Sequence, residues 1–144
     1  MDSNNIEIIQ INISGEDKPG LTSSLTGILA RHDAFILDIG QSNIHQSLTL
    51  GILFMTTAER SGQIMKELLF KASEMNIQIR FTPIDEDEYR RWVTGQGKNR
   101  YILTLVGRKI TAEHISRVTQ LISEAELNID DINRLTGRMP LDED

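Results

Sequence analysis

A short turn near the N-terminus carries the residue types with the clearest binding chemistry. Asp17, Lys18, Pro19 and Gly20 follow a strand-like segment and precede a helical one. Free backbone N–H groups at the start of a helix attract a carboxylate, and Gly20 has no side chain to block close approach. Asp17 offers a negative charge to an ammonium group. The pattern indicates an amino-acid site at residues 17–22, although a plain Pro-Gly turn with Asp17 as a helix cap explains the spacing equally well.

The elements that position this turn are readable from the spacing of apolar residues. Alternating isoleucines in 6–15 indicate a half-buried strand before the turn, and leucines at helical spacing indicate a helix after it. Further strands are predicted at 34–39, 48–55 and 76–81. The helix between the last two should have a buried stripe made of Ile64, Met65, Leu68, Leu69, Ala72 and Met75. The order β-α-β-β-α-β predicts an α+β ferredoxin-like sandwich, with two helices on one face of an antiparallel sheet.

Two local features of this sandwich are also predicted. Ser61 is a suitable cap for the second helix, because its hydroxyl can accept a hydrogen bond from a free backbone N–H group. Gln41-Ser42-Asn43 is polar and is expected to end the second strand or to form a bulge.

The third strand is apolar on both faces, which favours a pairing of two copies through their sheets or helices.

The pattern restarts after a charged segment, which is interpreted as a linker with one short helical turn. Alternation returns around Leu103, a helical stripe follows, and Ile129 and Ile132 match Ile36 and Ile39 in position. The predicted organisation is a first domain at 6–83, a linker at 84–99 and a partial β-α-β repeat at 100–139. A half repeat leaves a strand edge and an apolar face uncovered. We expect the chain to continue in a longer parent protein, with self-association of the isolated piece as a consequence.

These motifs resemble the ACT domain. The resemblance is carried by Gly15, the turn at 17–21 and the helix after it, and it covers 6–83 fully and 100–139 as a partial second copy. In that copy Arg108-Lys109-Ile110-Thr111 replaces the Pro-Gly turn. Longer runs are similar to the tandem ACT region of phosphoserine phosphatases: AFILDIGQ (34–41), LGILF (50–54), SGQIMKELLFKA (61–72), GKNRYILTLVGRK (97–109) and NRLTGR (133–138).

The resemblance implies a regulatory module that binds a small amino acid, with L-serine as the best candidate, often between two copies. In that family a haloacid-dehalogenase-type domain follows and uses Mg²⁺ to hydrolyse phosphoserine to serine, so no cofactor is expected in this chain. The expected ligand-binding residues are Asp17, Lys18, Pro19, Gly20, Leu21, Thr22 and, from the second strand of the same or a neighbouring copy, Asp38, Ile39, Gly40 and Gln41. The alternative is a stand-alone double-ACT regulator or a dimerisation module without a small ligand.

No complete catalytic or metal-binding constellation is visible in the sequence. Asp85-Glu86-Asp87 is similar to the Asp-x-Asp pair of haloacid-dehalogenase phosphatases, but Tyr89 stands where Thr or Val is needed. An acidic linker is the simpler interpretation. Asp130 and Asp131 would point to opposite faces of a strand, and the three histidines have no ligand spacing and are expected at the surface or at helix ends. We therefore expect this chain not to be an enzyme.

Composition restricts the partners. The 144 residues carry a net charge of −6, which disfavours nucleic-acid binding, and contain no cysteine, which excludes disulfides. No signal peptide and no apolar run long enough to span a membrane are present, so a cytoplasmic location is expected. Trp92 and Tyr89 lie in the charged segment and predict either a contact that relays ligand occupancy between domains or an anchor onto one ACT unit.

Overall fold

The computed structural model describes residues 5–95, 100–136 and 141. It divides into two compact units between Lys98 and Asn99. The predicted linker residues 96–99, residues 137–139 of the predicted second repeat and most of the acidic end lie outside the described residues. Each unit is described by itself below.

The first unit is an antiparallel four-stranded sheet in the order β2-β3-β1-β4 with two helices against it, which confirms the ferredoxin-like fold. A third helix follows the last strand. The elements are β1 (Ile6–Glu16), α1 (Leu21–Arg31), β2 (Phe35–Ile44), β3 (Ser47–Thr57), α2 (Ala58–Glu74), β4 (Gln78–Ile84) and α3 (Glu86–Gly95).

The core lies between the sheet and the helices α1 and α2. Alternate residues of the central strands point into it, so that Ile11 of β1 faces the same side as its partner Ile52 of β3. Leu25 of α1 and Leu68 of α2 close the core from the helical side, and all four side chains are fully buried. Full burial of such a side chain contributes about 1.5–3 kcal/mol. The predicted periodicities therefore place the correct faces inward, except that Leu69 of the predicted stripe is exposed.

A β-bulge at Leu37 changes the phase of β2. Ile36 pairs with Phe54 and Asp38 pairs with Leu53, so one extra residue stands between two consecutive pairs. After the bulge, Ile39 shares the helical side of the sheet with its core-facing partner Ile52. The shift therefore brings every second residue from 39 to 43 to the side where α1 lies.

Three local expectations differ from the structure. Residues 41–43 neither end β2 nor form its bulge, because the strand continues to Ile44. The prediction that Ser61 caps the second helix is wrong, because α2 begins at Ala58 and Thr57 is its N-cap. Ser61 lies inside the helix, where its hydroxyl donates a hydrogen bond to the Ala58 carbonyl. The charged segment contains the ten-residue helix α3 instead of one helical turn. Asp85 starts this helix, because its side chain accepts from the Asp87 backbone N–H at 2.9 Å.

Gly15 is expected to be required for packing at the end of β1. A Cβ atom there would lie 2.9 Å from Cγ2 of Ile77, a β-branched side chain with little freedom to move. We predict that Gly15→Ala lowers the free energy of unfolding by about 1–3 kcal/mol through overpacking. The control is Gly51→Ala in the neighbouring strand, where a Cβ atom meets nothing within 4 Å. Urea unfolding of both variants checks this, and equal stabilities would contradict the predicted clash.

The second unit contains one helix, α4 (Ala112–Glu124), within its described residues. Thr111 and His114 form a capping box at its start: the His114 backbone N–H donates to the Thr111 hydroxyl, and the Thr111 N–H donates to the His114 ring. The expected strands on either side of α4 are not paired within 100–136. A physical reason is available from the first unit, in which β1 and β2 flank β3 and never pair with each other.

Candidate functional site

A chain of side-chain hydrogen bonds joins the turn after β1 to the end of β2. The Thr22 hydroxyl donates to the Gln41 amide oxygen at 2.6 Å, and the Gln41 amide nitrogen donates to the Asn43 oxygen at 3.3 Å. The Asn43 amide nitrogen then donates to a carboxylate oxygen of Asp17 at 2.6 Å. Asp17 is fixed further because its backbone N–H donates to the Gln46 carbonyl at 2.8 Å. We call Asp17, Thr22, Gln41 and Asn43 the turn network.

The start of α1 lies inside this network and has free donors. Gly20 is the N-cap, with a φ of 83° that favours glycine, and it offers no capping side chain. Leu21 N–H donates to the Lys18 carbonyl and Ser24 N–H donates to the Gly20 carbonyl. Among the described residues, no acceptor takes the backbone N–H groups of Thr22 and Ser23. Two N–H groups and the positive end of the helix dipole are therefore available to an anion.

Lys18 and Leu21 do not turn their side chains to the network. The Lys18 ammonium donates to the Met75 carbonyl at 2.7 Å and thereby ties the turn to the C-terminal end of α2. The Leu21 side chain is buried in the core, and Pro19 is exposed. These residues shape the turn, whereas the polar groups around it belong to Asp17, Thr22 and two residues of β2.

The four predicted residues of β2 divide between the two faces of the sheet. Gln41 reaches Thr22 on the helical side, but Asp38 pairs with Leu53 on the opposite side, and its carboxylate accepts from the Ile39 backbone N–H. Gly40 also lines that opposite side. Ile39 is about half exposed and shares the helical side with Gln41. The structure therefore brings Gln41 to the turn and leaves Asp38 and Gly40 away from it.

Asn43 is the network residue that sequence reasoning missed. It was grouped with Gln41 only as part of a polar strand end. On an extended strand, residues two positions apart lie on the same face, so a strand continuing through residue 43 places Asn43 beside Gln41. That spacing is the signal that could have identified it.

A separate cavity of about 400 Å³ lies on the opposite face of the sheet of the first unit. Tyr89 and Trp92 of α3 line it, with their ring centroids 5.9 Å apart and their planes at 42°. The other lining residues are Gln10, Asp38, Ile39, Gly40, Gly51, Ile52, Leu53, Ile84 and Glu88. The two aromatic rings therefore lie over the sheet of their own unit, as the anchor interpretation expects.

The three histidines lie at helix ends or at the surface. His32 is the C-cap of α1 and its ring contacts the Glu67 carboxylate of α2, while His114 belongs to the capping box of α4. His45 is exposed in the turn between β2 and β3. All three histidines thus lie at the surface or at helix ends, as predicted. In the described part of the chain, no three His, Asp or Glu residues are grouped so that they could hold a metal ion.

Comparison with known proteins assigns the family. A family model described as the ACT domain matches residues 7–82, which is the sheet and helices that carry the turn network. The chain belongs to the ACT domain family. Two solved structures share the fold: a protein described as a glycine cleavage system transcriptional repressor (TM-score 0.56, 11% identity, 84% of this chain and 67% of that one) and an unknown protein from Galdieria sulphuraria (0.55, 14%, 59% and 53%).

Two curated relatives extend the similarity beyond the ACT unit. Phosphoserine phosphatase SerB2 of Mycobacterium tuberculosis is 26% identical over 130 residues, and phosphoserine phosphatase of Streptomyces coelicolor is 27% identical over 135 residues. These matches cover 89% and 92% of this chain but 31% and 32% of the relatives. The chain therefore spans about a third of their length. Among its described residues, no helix is long and apolar enough to cross a membrane.

Proposed function

We propose that this chain is the regulatory, amino-acid-binding ACT module of a cytoplasmic phosphoserine phosphatase, with L-serine as its ligand. The parent enzyme would hydrolyse O-phosphoserine to L-serine in serine biosynthesis. The observation that carries the binding proposal is the turn network: it links the start of α1, which has free N–H groups, to the Asp17 carboxylate through Gln41 and Asn43. An α-amino acid carries the two complementary charges on groups bonded to the same carbon atom. The phosphatase relatives support the choice of serine and of the parent enzyme.

The side chains of the network support a small polar ligand. Thr22 and Gln41 meet at 2.6 Å on the helical side of the sheet, and Asn43 links Gln41 to Asp17. These groups can exchange a hydrogen bond with each other for one with a ligand hydroxyl, so the polar groups remain satisfied in both states. Regulation would follow if the parent enzyme has a second state in which this turn is rearranged, because a ligand shifts an equilibrium only by its differential affinity.

A thermal-shift panel of the twenty amino acids tests the sensing proposal. A ligand at 100 times its Kd stabilises the folded state by about 2.7 kcal/mol. For a unit of this size we expect L-serine to raise Tm by about 10–20 °C. Two matched ligands examine the two charges: ethanolamine lacks the carboxylate, 3-hydroxypropionate lacks the ammonium, and both should give much smaller shifts. If no amino acid changes Tm at saturating concentration, the sensing proposal is wrong.

The alternative is a dimerisation module without a small ligand, and one observation favours it. Within residues 100–136 no residue is buried, although the segment is rich in apolar side chains. Such a surface needs cover whether or not the turn at 17–22 binds an amino acid. The two functions are compatible, and the thermal-shift panel separates them because self-association alone is insensitive to added amino acids.

A further inference from the structure

The cavity under α3 lies on the face of the sheet away from α1 and α2 and has no part in the turn network. Its volume of about 400 Å³ is within the usual range of small-molecule sites in proteins. Its lining comes from all four strands and from α3, so the whole cavity belongs to the first unit. It is therefore a candidate for a second site, separate from the proposed amino-acid site.

The floor of this cavity contains a patch of bare backbone. Gly40 of β2 and Gly51 of β3 are opposed in the sheet, two residues along from the opposed pair Asp38 and Leu53. A Cβ atom on either glycine would meet nothing within 4 Å, so the space above both is open. A glycine inside a strand contributes no packing and often marks a place where a ligand approaches the backbone closely. The glycine pair leaves room for a flat group to lie against the sheet.

Two aromatic rings of α3 form a wall of the cavity. Tyr89 and Trp92 are three residues apart, so they share one side of the helix, and their ring centroids are 5.9 Å apart. Trp92 is 44% exposed although it lines the cavity, so part of its surface is open to a ligand. The faces of tyrosine and tryptophan rings attract cations. The wall is therefore suited to a ligand that is flat, positively charged or both.

The charged groups of the cavity are both carboxylates. Asp38 and Glu88 line it together with the Gln10 amide, and no lysine, arginine or histidine is among the lining residues. One oxygen of Asp38 accepts from the Ile39 backbone N–H at 2.9 Å. Within the described ranges, no hydrogen bond or ion pair occupies its other oxygen or the Glu88 carboxylate. The cavity thus disfavours an anion and has free acceptors for a cation.

We propose that the cavity under α3 binds the guanidinium group of a small organic molecule. A guanidinium ion is planar, stacks on aromatic rings and presents paired N–H donors along its edge to carboxylates. Its flat face matches the glycine floor and the two rings of α3, and its edge matches Asp38 and Glu88. An alkylammonium ion has the charge without the plane, and a urea has the plane without the charge. The guanidinium group is the one that uses all three features.

Titration of n-butylguanidinium into the 144-residue chain tests the site. Trp92 is the single tryptophan of the sequence, so its fluorescence reports occupancy directly. A saturable change with a Kd in the millimolar range is expected, because both carboxylates are exposed to solvent. n-Butylurea and n-butylammonium, at matched ionic strength, should each bind at least about tenfold more weakly.

This probe also keeps the second site distinct from the proposed amino-acid site. It carries no carboxylate for the N–H groups at the start of α1, and saturating L-serine should not displace it. A chain that binds L-serine but not n-butylguanidinium would therefore contradict the guanidinium site alone. A chain that binds the guanidinium ion but no amino acid would contradict only the sensing proposal.

Two substitutions test the floor and the charge. Gly51→Val fills the open space with a side chain that suits a strand, and it should weaken binding at least about tenfold while urea unfolding shows no loss of stability. Asp38→Asn keeps an oxygen for the Ile39 N–H and should weaken binding about tenfold. The control, Asp87→Asn, makes the same chemical change at an exposed residue of α3 outside the lining, and less than a twofold effect is expected.

Three results would overturn the proposal. The first is the absence of a saturable fluorescence change with n-butylguanidinium. The second is equal affinity for n-butylurea or n-butylammonium, which would show that charge or planarity is not recognised. The third is unchanged affinity in either Gly51→Val or Asp38→Asn, which would place the ligand outside the cavity under α3.

Discussion

Replacing Phe54 by alanine is expected to lower the free energy of unfolding of the ACT unit by about 3–5 kcal/mol, the typical effect of removing a buried phenyl ring. Phe54 has no exposed surface and lies on the central strand β3 between Ile9 of β1 and Ile36 of β2. Both transfer of the ring to water and the cavity left behind contribute to the loss. Since a domain of this kind is stable by about 5–15 kcal/mol, the substitution should remove a large share of its stability.

The matched control is Phe70→Ala on α2. It removes the same atoms from a side chain that is 67% exposed, so the expected change is within about 0.5 kcal/mol. Urea unfolding followed by circular dichroism measures both variants, and the slope with urea shows whether they unfold in the same two-state manner. A loss below about 1.5 kcal/mol for Phe54→Ala would show that β3 is not at the centre of the core.

The parts of the fold predicted from the sequence are those with a strong periodic signal. The alternation of Ile9, Ile11 and Ile13 and the helical spacing of Leu21, Leu25 and Ile28 each admit one secondary structure. The loops between the predicted strands and helices are short, and the ferredoxin-like arrangement is the simple way to connect elements in this order. The helix α3 was missed because its apolar stripe is short: only Tyr89, Trp92 and Val93 stand at helical spacing, among five charged residues, and none of the helix is fully buried.

The site was predicted only in part, because its geometry depends on a bulge. A regular strand in which Leu37 was paired like its neighbours would turn Asp38 toward the helical side and Gln41 away from it. Nothing in the local sequence distinguishes Leu37 as unpaired, since it is one of several apolar residues in a run that begins at Ala34. The sequence therefore predicts that side chains of β2 alternate between the two faces of the sheet. It does not predict which residues point to which face after residue 37. This explains why Gln41 joins Thr22 and Asp38 faces the cavity under α3.

The same limit applies to the second unit. Its alternation at 101–105 and its apolar residues at 129 and 132 predict strands, but a strand needs a hydrogen-bonding neighbour as well as a pattern. In the ACT order the first and second strands are separated by the third. A half repeat therefore contains two segments suited to a sheet and no pair between them, so the pattern alone cannot identify the partner.

Asp17→Asn is expected to weaken the binding of L-serine by about 10- to 100-fold, the range that follows from losing one hydrogen bond to a charged group. The substitution keeps an oxygen that can accept from Asn43, and it keeps the backbone N–H that donates to Gln46. The turn should therefore retain its shape, and the stability without ligand should change by less than about 0.5 kcal/mol. What is removed is the negative charge proposed to hold the ammonium group.

The control for this charge is Glu16→Gln, one residue earlier at the end of β1. Glu16 is exposed, and its replacement changes the net charge of −6 by the same single unit. Any general electrostatic effect on the ligand is thus nearly equal in the two variants, while only Asp17 belongs to the turn network. Isothermal titration calorimetry should show less than a twofold change for Glu16→Gln. Wild-type affinity in Asp17→Asn would mean that Asp17 is only a structural acceptor of the turn.

A ligand that lacks the ammonium group separates direct contact from a change in the shape of the site. The carboxylate of 3-hydroxypropionate can use the same N–H groups at the start of α1, but the molecule has no partner for Asp17. If Asp17 contacts the ammonium group, the loss of affinity in Asp17→Asn should be present for L-serine and absent for 3-hydroxypropionate. If the substitution disturbs the turn itself, both ligands lose affinity together. The difference between the two losses measures the coupling between this carboxylate and the ammonium group.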